Sequence, residues 1–135
     1  MILEYDQLPS EKMAFFLDDV NELDTSLQFN PFAKIIVFER ENRVCAYLLY
    51  SLLYDRIEIE QLQVYVGYRR QHIATKLLQY LEQIAFSKKV KNISLEVSSN
   101  NTAAISLYCQ FQFQKVAIRP NYYHGVDGIL MMREF

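Results

Sequence analysis

The stretch YRRQHIATKLLQYLEQ, from Tyr68 to Gln83, joins the end of a predicted strand to a helix through a basic turn. Apolar residues recur through the helix at the spacing of a single stripe: Ile73, Ala74, Leu77, Leu78, Leu81, Ile84 and Ala85. The first four N–H groups of a helix have no partner within it, and the helix dipole adds about half a positive charge there. Together with Arg69 and Arg70, this turn is predicted to bind a diphosphate. A basic start is also typical of an ordinary solvated helix end.

The turn resembles the pyrophosphate loop of the GNAT superfamily of acyl-CoA N-acyltransferases, whose pattern is Gln/Arg-x-x-Gly-x-Gly/Ala. The corresponding residues are Arg69, Arg70, Gln71, His72, Ile73 and Ala74. The first and last positions match, whereas His72 stands where the family has a glycine. A glycine there lets the backbone approach the phosphates with no Cβ in the way.

Two further segments carry the same resemblance, and the three together span about Ile57 to Met132. LEVSSNNTAAISLYCQFQF, from Leu95 to Phe113, is similar to the family's strand followed by Asn-x-x-Ala-Ile-x-Leu-Tyr-x-x-x-Gly-Phe, with Gln112 in place of the glycine. IRPNYYHGVDGILMM resembles the C-terminal segment of the subgroup that acetylates the N-terminal alanine of a small-subunit ribosomal protein.

The remaining sequence predicts alternating strands and helices. We expect a short strand at MILEY, a helix near residues 10–22, a hairpin of strands near 33–39 and 43–53, and C-terminal strands near 113–119 and 127–134. The resemblance implies an α/β fold with a mixed, mostly antiparallel central sheet, a bulged and splayed fourth strand, and flanking helices.

The fourth strand carries a signal of its own. Its apolar residues lie at odd positions, Ile57 and Ile59, and then at even positions, Leu62, Val64 and Val66. Side chains alternate between the two faces of a strand, so this change of parity requires one extra residue. We therefore predict a bulge near Glu60 and Gln61, at the place where the resembled family has one.

Three residues are candidates for acid–base chemistry. Acyl transfer from a thioester to an amine needs a neutral nitrogen, a polarised carbonyl and a proton for the departing thiolate. Glu96 matches the glutamate that serves as base in the resembled subgroup, and Glu60 would relay a proton through water at the bulge. Tyr108 matches the tyrosine that protonates the coenzyme's sulfur. Each also has a plain structural interpretation: a solvated strand residue, a bulge-exposed carboxylate and a packed aromatic ring.

The resemblance also assigns binding residues. The amides of Val64 and Val66 would hold acetyl-CoA by strand-like pairing, and Asn101 would bind the pantetheine arm as well as cap its helix. The loop of Asn121, Tyr122 and Tyr123 would border the substrate's N-terminal residue. Asp18 and Asp19 lie in an acidic segment that would rim the acceptor cleft and favour a cationic acceptor.

Composition excludes several classes of protein. With 135 residues, of which 51% are hydrophobic, the sequence predicts one globular domain over residues 1–135. A net charge of −2 disfavours nucleic acid as a partner. No apolar run is long enough for a membrane span, the N-terminal order is not that of a signal peptide, and Cys45 and Cys109 have no partners at metal-ligand spacing. We expect a cytoplasmic protein without a metal, with Cys45 and Cys109 in the core; a homodimer is left open.

The predicted function is an N-acetyltransferase that moves an acetyl group from acetyl-CoA to a primary amine by direct attack. The C-terminal segment favours the α-amine of a protein N-terminus. A small cationic amine, such as a polyamine or an aminoglycoside, is the first alternative. A non-catalytic CoA-binding regulatory module is the second, because His72 and Gln112 replace two of the family's glycines.

Overall fold

A seven-stranded sheet forms the centre of the computed structural model, which describes residues 1–135. Its strands are β1 (Ile2–Tyr5), β2 (Ala33–Arg40), β3 (Arg43–Leu53), β4 (Arg56–Val64), β5 (Asn92–Ser98), β6 (Gln114–Tyr123) and β7 (Val126–Glu134). The helices are α1 (Ser10–Met13), α2 (Val20–Phe29), α3 (Ile73–Lys88) and α4 (Thr102–Gln110). The strand order is β1-β2-β3-β4-β5-β7-β6, and every neighbouring pair is antiparallel except β4 and β5. The predicted fold class is confirmed.

The sheet separates two apolar layers. Alternate residues of each strand point to opposite faces, so Ile36 packs with α3 and α4 while its neighbours Ile35 and Val37 pack with α2. The larger layer holds the apolar stripe of α3 and the ring of Tyr108 from α4. The smaller layer includes Leu23 and Leu27 of α2. Residues on β4 and β5 therefore face either α3 and α4 or α2.

The predicted bulge lies in β4. Leu49 of β3 is paired with Gln61, and the next residue, Tyr50, is paired with Ile59, which leaves Glu60 as the extra residue. The parity change in the sequence had this physical cause. Beyond the bulge β4 also leaves β5, because the parallel pairing covers only Arg56–Ile59. A gap thus opens through the sheet between the second half of β4 and the end of β5.

The first predicted helix is wrong in its extent. The structure has two short helices, with residues 14–19 between them. The carbonyl of Phe15 accepts a hydrogen bond from the N–H of Val44 at 3.0 Å, so this part of the chain is tied to the sheet and cannot continue the helix. A bond between residues so far apart in sequence leaves no trace in the local apolar spacing, which fits a continuous helix.

Three smaller predictions need correction. Cys109 is exposed rather than buried, since it faces outward from α4, while Cys45 is buried as expected. Val66 lies past the end of β4 with 81% of its surface exposed, so the strand does not reach it. Tyr122 and Tyr123 belong to β6 rather than to a separate loop.

No helix is both long enough and apolar enough to cross a membrane.

Candidate active site

A cavity of about 230 Å³ occupies the gap where β4 and β5 part. Among its lining residues are five that the sequence singled out: Glu60, Glu96, Asn101, Tyr108 and Tyr123. Tyr108 belongs to the layer packed against α3 and α4. Glu60 and Glu96 also line a second cavity of about 300 Å³ under the end of β6. The gap therefore connects the two faces of the sheet.

Tyr108 is held by the core and also lines the cavity. The residue is 6% exposed, and its ring packs against Phe113 with 5.6 Å between centroids. Burial raises the pKa of Tyr108 to about 12. A phenol with this pKa stays protonated at neutral pH, as a proton donor to a thiolate must be. The packed-ring interpretation and the acid interpretation are thus compatible.

Glu60 is oriented by a chain of hydrogen bonds that starts at the end of α2. The Asn30 side-chain amide donates to Ser51 Oγ at 3.1 Å, and Ser51 Oγ donates to Glu60 Oε1 at 2.8 Å. Ser51 is 1% exposed. Sequence reasoning missed it, although a lone serine within the apolar run YLLYSLLY is a visible signal. Glu60 is thus exposed, as the structural interpretation of a bulge carboxylate expects, but Ser51 positions one of its oxygens.

Glu96 is held on one side by an arginine that sequence reasoning also missed. Arg119 Nε lies 2.7 Å from Glu96 Oε1, and the Glu96 side chain is 18% exposed. Glu96 Oε2 is buried and has no hydrogen-bond partner. Burial and then the Glu96 carboxylate raise the pKa of Tyr123. The interpretation of Glu96 as a solvated strand residue is wrong, because one oxygen is paired and the other is buried.

Asn101 caps α4 as predicted. Its side-chain oxygen accepts a hydrogen bond from the N–H of Ala104 at 3.2 Å. Capping satisfies one of the free donors at the helix start. Asn101 also lines the cavity together with Tyr108, so its side-chain amide could form a hydrogen bond with a ligand in the gap.

The turn between β4 and α3 has the backbone of an anion site. Gly67, Arg70 and His72 all have positive φ angles, of 98°, 60° and 59°. His72 is the N-cap of α3 and its side chain makes no capping hydrogen bond. The first N–H groups of α3 thus remain without a side-chain acceptor, as a phosphate site requires. The left-handed conformation of His72 also explains the family's glycine at this position, since an L-residue is strained there.

Side chains brace this turn. Arg69 Nε donates to the carbonyl oxygen of Val64 at 3.1 Å. Gln71 donates to the carbonyl of Gly67 at 3.4 Å and accepts from Arg40 at 2.5 Å. Arg40 ends β2, far away in sequence, and was missed for that reason. Arg69 and Arg70 thus lie in the turn itself, and Arg40 contacts it through Gln71.

The predicted acidic rim is not assembled at the cavity. Asp19 accepts hydrogen bonds from Tyr47 at 2.8 Å and Tyr65 at 2.5 Å. Burial and these hydrogen bonds raise the pKa values of both phenols. Asp18 is exposed, and neither aspartate lines the cavities that contain Glu60 and Glu96. The carboxylate of Asp19 organises the α2 side of the protein and is not available to an acceptor.

The residues predicted to border the acceptor are divided by the structure. Tyr122 and Tyr123 line the cavity under β6 with Glu60 and Glu96. Asn121 instead donates its backbone N–H to Asp127 Oδ1 at 3.1 Å and is exposed. The two tyrosine rings meet edge to face with 4.9 Å between centroids. The two rings therefore form one aromatic side of the cavity that Glu60 and Glu96 also line.

The family model of the acetyltransferase (GNAT) family matches residues 3–113. A Bacillus subtilis candidate ribosomal protein bS18-alanine N-acetyltransferase is 30% identical over 104 residues, which cover 76% of this chain and 69% of that protein. The Escherichia coli ribosomal protein bS18-alanine N-acetyltransferase is 30% identical over 89 residues. That match covers 66% of this chain and 60% of the E. coli enzyme, less than two thirds of its length.

Solved structures share the fold over nearly the whole chain. The crystal structure of the E. coli ribosomal-protein-S18-alanine N-acetyltransferase superposes with a TM-score of 0.83 at 22% identity, covering 99% of this chain and 94% of that one. An aminoglycoside 6'-N-acetyltransferase complexed with coenzyme A gives a TM-score of 0.78 at 17% identity, covering 99% and 96%.

Proposed function

This chain belongs to the GNAT family of acetyltransferases, and we propose that it transfers an acetyl group from acetyl-CoA to the α-amine of a protein N-terminus by direct attack. One observation carries the proposal: two carboxylates, a protonated phenol and a helix-capping amide line a single cavity in the gap between β4 and β5. The acceptor class is supported by the ribosomal protein alanine acetyltransferases among the relatives.

The donor would bind along the α3 and α4 side of the gap. Its diphosphate would lie on the unpaired N–H groups at the start of α3, between Arg69 and Arg70. Its pantetheine arm would follow the edge of β4 near Val64, which β5 no longer pairs, and reach Asn101. The thioester would then lie beside Tyr108. A binding mode based on backbone N–H groups tolerates a side chain at His72 if that side chain points outward, and His72 is exposed.

The acceptor would enter from the opposite face, along Tyr122 and Tyr123. Glu96, or Glu60 through a water, removes a proton from the ammonium, and the neutral nitrogen attacks the thioester carbonyl. A C–N bond forms and the C–S bond breaks as the tetrahedral intermediate collapses. Tyr108 gives its proton to the departing thiolate sulfur. The nitrogen loses a second proton as the amide forms, and that proton passes through water to the Tyr108 phenolate, while the first proton returns from the glutamate to solvent.

An α-amine fits this site better than a lysine side chain. The α-amine has a pKa near 8 and lysine about 10.4, a difference worth roughly 3.3 kcal/mol in the free energy of deprotonation. The site offers only two carboxylates as bases, one of them paired with Arg119. The smaller demand on the base therefore favours the α-amine.

An acceptor screen tests the proposal. Purified protein is incubated with acetyl-CoA and one of four acceptors: a peptide beginning with alanine, the same peptide with a blocked N-terminus, a polyamine or an aminoglycoside. Release of the coenzyme's free thiol is measured. We expect release only with the first peptide. Release with the polyamine or the aminoglycoside alone would identify a small-amine acetyltransferase, and tight CoA binding without release for any amine would identify a non-catalytic module.

A further inference from the structure

Gly128 is a glycine in the interior of β7 that the backbone conformation does not require. Gly67 and Gly125 have φ angles of 98° and 92°, whereas Gly128 lies outside the left-handed region. A glycine inside a strand is less favourable than alanine by about 0.5–1 kcal/mol, because it loses more backbone entropy and packs no side chain. The missing side chain therefore needs a reason other than conformation.

The space beside Gly128 is taken by two residues of the proposed site. A Cβ at Gly128 would lie 3.0 Å from Glu96 Oε2, and 3.1 Å from both Cβ and Cδ2 of Tyr122. Contacts this short force one of the partners to move. The carboxylate of Glu96 and the ring of Tyr122 thus both pack against the backbone of Gly128. Any side chain at Gly128 would displace them.

Arg119 uses the same opening. In the sheet, Arg119 of β6 is paired with Gly128 of β7, and Gly128 is paired with Ser98 of β5, two residues beyond Glu96. Paired residues point to the same face of a sheet. The Arg119 side chain therefore crosses β7 over Gly128 to reach Glu96 Oε1 at 2.7 Å, and its guanidinium carbon lies 5.3 Å from the centre of the Tyr122 ring.

We infer that Gly128 and Arg119 are positioning residues, which fix the Glu96 carboxylate and the Tyr122 ring in one arrangement for the acceptor amine. The inference rests on the proposed function, in which Glu96 takes the amine's proton. Arg119 occupies one oxygen of Glu96, and the other oxygen is buried without a donor. A buried oxygen without a donor is costly, so an N–H group of the substrate that reaches it would gain a hydrogen bond.

Gly128→Ala is the direct test. A displacement of a reacting group by an ångström can lower a rate by about 100-fold. The contacts at Gly128 require a shift of a few tenths of an ångström, so we expect kcat for the alanine peptide to fall by up to about 10-fold. The dissociation constant of CoA should stay within about two-fold, because no donor-binding residue touches Gly128. If Gly128 had no role in positioning Glu96 and Tyr122, alanine would leave kcat unchanged and stabilise the strand. That result would overturn the inference.

Arg119 variants provide a second arm that does not depend on the folding of Gly128→Ala. Arg119→Ala should lower kcat with little change in CoA affinity, and Arg119→Lys should recover part of the loss, since it keeps the charge but not the guanidinium geometry. Lys115→Ala is the matched control: Lys115 is an exposed cation on the same strand and forms no ion pair. Equal losses in Lys115→Ala and Arg119→Ala would contradict the inference.

A crystal structure of Gly128→Ala separates this inference from the proposed function. We expect the Glu96 carboxylate and the Tyr122 ring to be displaced by a few tenths of an ångström from their wild-type positions. Should the wild type acetylate no amine, the proposed function fails, yet this readout still decides the positioning role. An unmoved carboxylate and ring in the variant would overturn it.

Discussion

The two faces of the sheet hold their parts of the site by different means. On the face covered by α3 and α4, the features proposed to bind the donor are backbone groups: the N–H groups at the start of α3 and the edge of β4 that β5 leaves unpaired. On the α2 face, the polar groups are held by chains of side-chain hydrogen bonds, from Asn30 to Glu60 and from Gln61 through Tyr47 to Asp19.

This difference indicates where substitutions should matter. Backbone groups are present whatever the side chain, so we expect donor binding to tolerate the departure from the family pattern at His72. A hydrogen-bonded chain fails when one member is lost, because its partners are left buried and unpaired. We therefore expect chemistry and stability to be sensitive to single polar groups in the gap and on the α2 face, and donor binding to respond in small steps.

The largest effect is expected at Tyr108, which lines the cavity in the gap between β4 and β5. Tyr108→Phe removes the proton donor and keeps the packed ring, so kcat should fall by about 100- to 10,000-fold while CoA binding stays within a few-fold. Tyr50→Phe is the control, because Tyr50 is 1% exposed in the same apolar layer and lies outside the cavity. An undiminished rate in Tyr108→Phe would remove the phenol from the mechanism.

The next effect concerns the two neighbouring aspartates. Asp19→Ala leaves the hydroxyls of Tyr47 and Tyr65 without an acceptor, so the free energy of unfolding should fall by about 2–4 kcal/mol. Asp18→Ala, at an exposed position one residue away, should change it by no more than about 0.5 kcal/mol. Urea denaturation of both variants measures the contrast. Equal stabilities would mean that Asp19 is as free as Asp18, and the acidic rim would have to be reconsidered.

On the donor face, the paired change of Arg69 and Arg70 to alanine should weaken CoA binding by about 1–3 kcal/mol, with the greater loss at low salt. The same paired change at Lys88 and Lys89 removes two cations from the opposite end of α3 and should leave CoA binding unaltered. Calorimetry at two salt concentrations distinguishes them. A common loss in both double variants would point to general charge attraction and not to a diphosphate site.

The smallest effect is expected at His72. His72→Gly removes the strain of a non-glycine residue in the left-handed conformation, so the unfolding free energy should stay level or rise by up to about 1 kcal/mol. CoA should bind at least as tightly. His124→Gly is a matched control, since His124 also has a positive φ, of 46°, but lies in the turn between β6 and β7. A clear loss of CoA affinity confined to His72→Gly would make the imidazole a ligand contact.

The sequence predicted the parts of the site that local pattern controls. The bulge at Glu60 follows from a change of parity within one strand, and the turn before α3 follows from charge and helix periodicity. Arg119 and Glu96 meet only because β7 inserts between their strands, and Asp19 reaches Tyr47 and Tyr65 only because the chain leaves α1 early. Such contacts depend on register between distant strands, which no local pattern in the sequence specifies.

The site of acetylation within one peptide tests the central claim most directly. A peptide that begins with alanine and contains an internal lysine offers an α-amine and an ε-amine at equal concentration. After incubation with acetyl-CoA and the protein, fragmentation in a mass spectrometer locates the acetyl group. We predict acetylation of the alanine α-amine, which falls in parallel with thiol release in Tyr108→Phe. Acetylation of the lysine alone, or of neither amine, would contradict the proposed function.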